Sequence, residues 1–190
     1  MRKLLWLDLE MTGLNPKKDV IIEVGAVITD ESLKELAAYQ SGVRHARPKL
    51  EKLLAASDWH AARPDYTQSM LESSLKGKSA LVVQREILRL IEQHIGLTRP
   101  AEDFKLYKDS LVSDGEVMVA GSVISTDMAF INAQWLILKP VLHYSFFDVS
   151  TLETIVPKRL PTMSNHRALD DIRLSIEQTR NYLVQLGIKL

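Results

Sequence analysis

LLWLDLEMTGLNPKKDVIIEVGAVITDESLKELAAYQSGV, residues 4–43, is the stretch that decides the fold. Leu4 to Leu9 is a short apolar run ending in acidic residues, the pattern of a buried strand. Gly13, Leu14, Asn15 and Pro16 make a turn, because proline fixes φ while glycine and asparagine tolerate positive φ. Val20 to Thr29 is rich in β-branched residues and reads as a second strand. The polar Asp30-Glu31-Ser32 turns the chain again, and Leu36 to Val43 makes a third. No helix interrupts them, so the chain opens as an antiparallel meander.

Beyond residue 43 the period changes. Leu81, Val82, Leu88, Ile91 and Ile95 recur at helical spacing until Gly96 and Pro100 stop the helix. Ala101 to Gly115 is charged and lacks a period, which predicts an exposed loop. Val117–Ala120 predicts a strand, Asp127–Leu138 a helix ending before Pro140, and Phe146–Val149 a short strand followed by a helix that Pro157 terminates. After a loop over Lys158–Asn165, a last helix runs from about Arg167 to Leu186. A meander followed by alternating helices and strands predicts a single α/β domain over residues 1–190, its mixed sheet made of the meander plus two further strands and flanked by helices.

The composition narrows the function. With 46% apolar and 25% charged residues the chain is an average globular protein, not a fibrous or disordered one. Lys+Arg 24 against Asp+Glu 24 leaves no basic excess, so a nucleic-acid ligand would be short, or held by metals rather than lysines; no long duplex is expected. The absence of cysteine excludes disulfides, Cys-ligated zinc and a thiol nucleophile. No apolar run is long enough to span a bilayer, so no membrane partner is expected. MRKLLWLDLE superficially resembles a signal peptide, but Asp8 and Glu10 interrupt the apolar run, which points to a cytoplasmic protein.

Asp8 and Glu10 are alternate residues of a strand, so both carboxylates project to one face and Leu7 and Leu9 to the other. Two carboxylates held close repel, and one is protonated unless a cation lies between them; Mg²⁺ and Mn²⁺ take such oxygens. A strand end running into solvent gives the same Asp-x-Glu pattern, so the pair alone leaves both readings open. SNHRALDDI, residues 164–172, adds to it. With a helix starting near Arg167, capped by Asn165 or His166, the residues Leu169, Ile172, Ile176 and Leu183 form its buried stripe. A rotation of about 100° per residue then puts Asp170 on the wet side, as an acid complementing the helix dipole. Asp171 falls at the edge of the stripe beside the small Ala168 and Ser175, where a metal or phosphate can approach. His166 is placed either as a general base or as a capping or surface histidine. Asp127, opening an amphipathic helix, is by itself an ordinary N-terminal acid.

DLEMTGL at Asp8–Leu14, IIEVGAVITD, HYSFFDVSTL at His143–Leu152 and HRALDDI at His166–Ile172 resemble the oligoribonuclease family, in the DEDDh branch of the DEDD 3′→5′ exonucleases. The likeness runs from about Leu4 to the closing IKL and is weak between Gly42 and Lys78. It implies a ribonuclease H-like fold and a metal-dependent 3′→5′ exoribonuclease that degrades short single-stranded oligoribonucleotides, down to dinucleotides, to nucleoside 5′-monophosphates. By the same resemblance, Asp8, Glu10, Asp127 and Asp171 match four acidic ligands of two divalent cations, Mg²⁺ or Mn²⁺, and His166 matches the general base. Leu14 matches a leucine that wedges against a base, and Thr12 lies in the same substrate-binding motif. Trp59 matches a tryptophan on which a base stacks, although a core tryptophan would look the same. Tyr144 matches a tyrosine that reaches the active site from the partner subunit of a homodimer. Two positions depart from the pattern: Val123 stands where the family has a phosphate-binding serine, and Ser145 where it has an arginine. The resemblance therefore leaves a relative that has changed substrate, to short DNA or another small phosphodiester, and a catalytically silent nucleotide-binding scaffold as the competing expectations.

Overall fold

The structure, a computed structural model, describes residues 3–104, 115–161 and 166–189. β1 (Leu4–Met11), β2 (Ile21–Thr29) and β3 (Glu35–Gly42) pair antiparallel. β4 (Val117–Gly121) runs parallel to β1, and β5 (Leu142–Asp148) parallel to β4. The sheet is five-stranded and mixed, in the order β3-β2-β1-β4-β5, as the meander and its two additions predict.

β1 sorts its side chains by the period of two. Leu5, Leu7 and Leu9 face one side, packed with Ile87 and Ile91 of α4 (Ala80–His94) and with Phe130 and Ile131 of α5 (Ser125–Gln134). Trp6 faces the other side, with Val27, Ala120 and the Ile172, Ile176 and Tyr182 of α7 (Ala168–Gln185). Asp8 and Glu10 share the face of Trp6, one and two pleats further on. Burying each leucine contributes about 1.5–3 kcal/mol, and a slip of one residue would exchange the leucine layer for the carboxylates. The leucines thus fix the face on which the acids stand. A register shift between Glu10 and Met11 bends the end of the strand there.

Two glycines let other elements come close to β1. A Cβ on Gly25, the β2 partner of Asp8, would lie 2.7 Å from the carbonyl carbon of Ala168, so its absence seats the start of α7 on the sheet beside Asp8. A Cβ on Gly121 would lie 2.8 Å from the Leu7 carbonyl oxygen, where β4 turns off toward α5.

Several boundaries differ from the sequence reading. Between β3 and α4, where no element is predicted, lie α1 (Arg47–Ala55), α2 (Asp58–Ala61) and α3 (Pro64–Lys76). They are short and their apolar stripes sparse; Leu50, Leu54, Met70 and Leu71 form a separate small core with Val20 and Ile22. Pro48 and Pro64 at the helix starts were the available signals. α5 begins at Ser125 and ends at Gln134 rather than Leu138, and Asp127 on it is buried, so the helix is not the amphipathic one expected. The fully buried Trp135 leaves the helical conformation, and Gln84 Oε1 accepts from the Ile137 and Leu138 amides that a longer helix would have used. β5 starts at Leu142, because its middle is an exposed edge with no apolar alternation to betray it. The helix expected before Pro157 is a single turn, α6 (Val149–Leu152), capped by Asp148. Arg167, not His166, occupies the cap position of α7, and no side chain caps it; Asn165 lies outside the described residues. Of the Ala101–Gly115 loop, Ala101–Asp103 form a 3₁₀ turn and Phe104 is buried under Arg99, while residues 105–114 lie outside those described. Among the described residues, no helix is long and apolar enough to cross a membrane.

Val123, in the turn before α5, has φ 52° and is 55% exposed. Left-handed backbone costs an L-residue roughly 1–2 kcal/mol, more readily tolerated by asparagine than by a β-branched side chain. Val123→Asn is therefore expected to stabilise the protein by about 1 kcal/mol, raising Tm by roughly 2–4 °C in thermal unfolding. An unchanged or lower Tm would show that the turn is not strained.

Candidate active site

The last pairing of β4 with β1 is Trp6 with Ala120, so the β1 amides beyond it face α5 instead of a strand. Asp127, two residues into α5, fills that place: its Oδ1 accepts from the Leu9 N–H at 2.9 Å, between Asp8 and Glu10 in sequence. Asp171 arrives from the first turn of α7, half-buried, while Asp170 is exposed, as the helical rotation predicts. One donor atom each from Glu10, Asp171 and His166 lie within 4.8 Å of one another. Asp8 completes the group electrostatically. Burial holds its carboxyl well above the usual range, and the charges of Asp127, Glu10, Asp171 and Glu23 push it further. Glu10 is pushed up to about 8, first by burial and then by Asp171, Glu23 and Asp127, against a hydrogen bond from Tyr66 that lowers it. Burial likewise raises Asp127 to about 7, opposed by the Leu9 N–H. Of the four acids expected from the sequence, Glu10 and Asp171 thus meet His166, while Asp8 and Asp127 join them through the charges they share in the buried site. They are oxygen donors crowded enough to resist ionising together, a set that fits divalent cations and that a cation would relieve.

The sequence reading missed a fifth acid. Glu23 is 1% exposed and takes Arg167 through both carboxylate oxygens, Nε to Oε1 at 3.1 Å and Nη2 to Oε2 at 3.0 Å. Gln40 and Ser73 donate to it as well. This clamp ties the start of α7 to β2, directly beside His166, whose φ is 55°. The IIE spacing two residues from Gly25 was its only trace in the sequence. Tyr66 was also missed; its hydroxyl donates to Glu10 Oε2 at 2.6 Å.

The residues expected to contact substrate separate. Leu14, 79% exposed, and Trp59, 37% exposed, share a 540 Å³ groove with Glu10, so Trp59 is not a core residue. The Arg63 guanidinium lies 4.3 Å over the Trp59 ring, and His166 meets that ring edge-on at 5.0 Å. Thr12 is buried, accepts from the Val20 amide and donates to Asp19, so its side chain locks the 13–19 loop rather than lining the groove. Tyr144 is exposed on the edge strand β5, its ring stacked on His143 at 4.4 Å and not on the acids.

A ribonuclease H-like sheet that carries acids on β1, on the helix after β4 and on the last helix is the arrangement of an exonuclease domain. The RNase_T exonuclease family profile matches residues 5–179. The oligoribonuclease of Coxiella burnetii is 33% identical over 96% of this chain and 93% of its own length, and that of Corynebacterium diphtheriae 34% over 95% and 81%. In fold, the nuclease domain of 3′hExo, a DEDDh family member bound to rAMP, superposes with a TM-score of 0.59 at 15% identity, over 99% of this chain and 94% of that one. The zinc-bound Escherichia coli ExoI–ssDNA complex also gives 0.59, at 14% identity over 98% of this chain, but this chain spans only 41% of that one. The chain belongs to the oligoribonuclease family and is an enzyme of the 3′→5′ exoribonuclease class.

Proposed function

We propose that the protein removes nucleoside 5′-monophosphates from the 3′ end of short single-stranded RNA, down to dinucleotides. The observation that supports this is the meeting of Glu10 and Asp171 with His166, with Asp8 buried among the charges of Glu10, Asp127 and Asp171, beside a groove that Glu10 shares with Leu14 and Trp59. In this reading the four acids hold two divalent cations, Mg²⁺ or Mn²⁺, which when bound neutralise the phosphodiester charge and acidify water. His166 accepts the proton of the attacking water, and the bond from phosphorus to the 3′ oxygen of the upstream nucleotide breaks. Leu14 and the open side of Trp59 seat the bases, and stacking of about 1–3 kcal/mol per base, indifferent to base identity, suits mixed fragments. The protein acts as a cytoplasmic homodimer in which Tyr144, on an open sheet edge, serves the partner's site.

Val123 and Ser145 favour a second reading, in which substrate length is less strictly limited or DNA is accepted. Neither residue supplies the charge-assisted phosphate contact of the family pattern, worth roughly 1.5–3 kcal/mol. Both readings are separated by the turnover of 5′-labelled RNA and DNA of two to seven nucleotides, and longer, with Mn²⁺. The first predicts the fastest cleavage for the shortest RNA, whereas equal or faster cleavage of long or DNA substrates discards it. Unchanged oligonucleotides throughout would leave only the silent scaffold. Mixing Tyr144→Ala with Asp8→Ala subunits should restore part of the activity; no rescue despite subunit exchange removes Tyr144 from the site.

A further inference from the structure

We propose that Tyr66 is a positioning residue of this site, its hydroxyl setting the orientation of the Glu10 carboxylate and its ring holding the His166 imidazole. The inference rests on the nuclease reading above and extends it to a residue outside the motifs that carry the family resemblance. Three contacts support it. The phenol donates to Glu10 Oε2 at 2.6 Å, at the short end of the O–H···O range. The Tyr66 ring meets the His166 ring edge-on at 5.8 Å, and both lie against Trp59, at 5.2 Å and 5.0 Å respectively. His60 stacks on the Tyr66 ring at 6.0 Å with an interplanar angle of 17°, and its own ring is pinned to the Met11 carbonyl at the end of β1.

The need for such a residue follows from the side chains. Asp127 is anchored by the Leu9 amide, and Asp171 is short and rides on a helix clamped through Arg167 to Glu23. Glu10 has one more rotatable bond than an aspartate and stands where β1 bends. An unanchored carboxylate there would rotate among orientations, and only some present an oxygen toward Asp171 and His166. The tyrosine removes that freedom. Its own position is fixed by α3, which starts at Pro64 and is bound to the sheet through Ser73 to Glu23 and Ser74 to the Val43 carbonyl. The same helix therefore orients a cation ligand and the proton acceptor together. Hydrogen-bonding partners of metal ligands typically change metal affinity or activity by about 10–100-fold when removed.

The test is Tyr66→Phe, which keeps the ring and deletes the hydroxyl, with Mn²⁺ binding measured directly by electron paramagnetic resonance on RNA-free protein. Mn²⁺ affinity should fall roughly 10–100-fold, while kcat at saturating Mn²⁺ falls much less. In a Glu10→Gln background the same change should have no further effect on Mn²⁺ affinity, a coupling that packing alone would not produce. Tyr66→Ala should additionally depress kcat at saturating Mn²⁺, because His166 loses its ring contact; equal kcat values for the Phe and Ala variants overturn that half of the proposal. If wild type and Tyr66→Phe bind Mn²⁺ equally and both cleave RNA, the positioning role is wrong and the nuclease reading stands. If wild type neither binds Mn²⁺ nor cleaves, the nuclease reading fails and takes this inference with it. Circular dichroism of each variant separates these outcomes from misfolding.

Discussion

Asp8→Asn is expected to lower metal-dependent RNA cleavage at least about a thousandfold, and to make the metal-free protein more stable at pH 8. The first effect follows from removing a ligand in a site where bound cations supply several kcal/mol of charge stabilisation, about 1.4 kcal/mol being tenfold in rate. The second follows from the carboxyl's surroundings. Burial, then Asp127, Glu10, Asp171 and Glu23, raise its folded pKa above the unfolded value. A group so shifted stabilises the fold fully below its unfolded pKa and loses that contribution as pH rises toward the folded one. Glu10, raised to about 8, and Asp127, raised to about 7, shift in the same direction. The metal-free wild type should therefore lose stability between about pH 4 and pH 8. The amide, which does not ionise, abolishes one of the three contributions, flattening the decline and leaving the variant more stable than wild type at pH 8. Added Mn²⁺ should reverse the order, stabilising wild type and not the variant. Thermal melts from pH 5 to 8, with and without Mn²⁺, read all of this; a variant less stable than wild type across the range would mean that Asp8 is a structural residue.

The second large effect is at His166. Removing a general base slows a reaction by about 10²–10⁴-fold, and His166→Ala should fall in that range. Its atoms lie close enough to Glu10 and Asp171 to ligate a cation instead, within 4.8 Å of both. The two roles part in the binding measurement. A base leaves Mn²⁺ affinity within a few-fold of wild type, and its loss is partly rescued by added imidazole. A tenfold or larger loss of Mn²⁺ affinity, without rescue, would make His166 a ligand and leave the proton acceptor to be found elsewhere.

Much of this was legible along the chain. The apolar run from Leu4 and the β-branched residues of 20–29 marked the strands, and the period of two placed Asp8 and Glu10 on one face, because strand period and leucine burial are local consequences of side-chain order. Helical rotation distinguished Asp171 from Asp170 for the same reason. The helices α1 to α3 were not legible, because their stripes are short and their stability comes from packing on Val20 and Ile22 rather than from their own periodicity. The place of the Thr12 hydroxyl was illegible for a related reason: a hydroxyl that faces substrate and one that ties a loop to Asp19 look alike until the loop closes.

The sequence by itself determined which residue types could hold a cation and move a proton, and on which face of β1 two of them stand. Only the tertiary structure decided that Glu23 grips Arg167 beside the histidine and that Tyr66 steadies Glu10. Those pairs are 144 and 56 residues apart, and no periodic pattern links them. Their contacts exist only because Gly25 lets α7 settle on the sheet and α3 packs against its edge, and such long-range fits are written in shape rather than in local order.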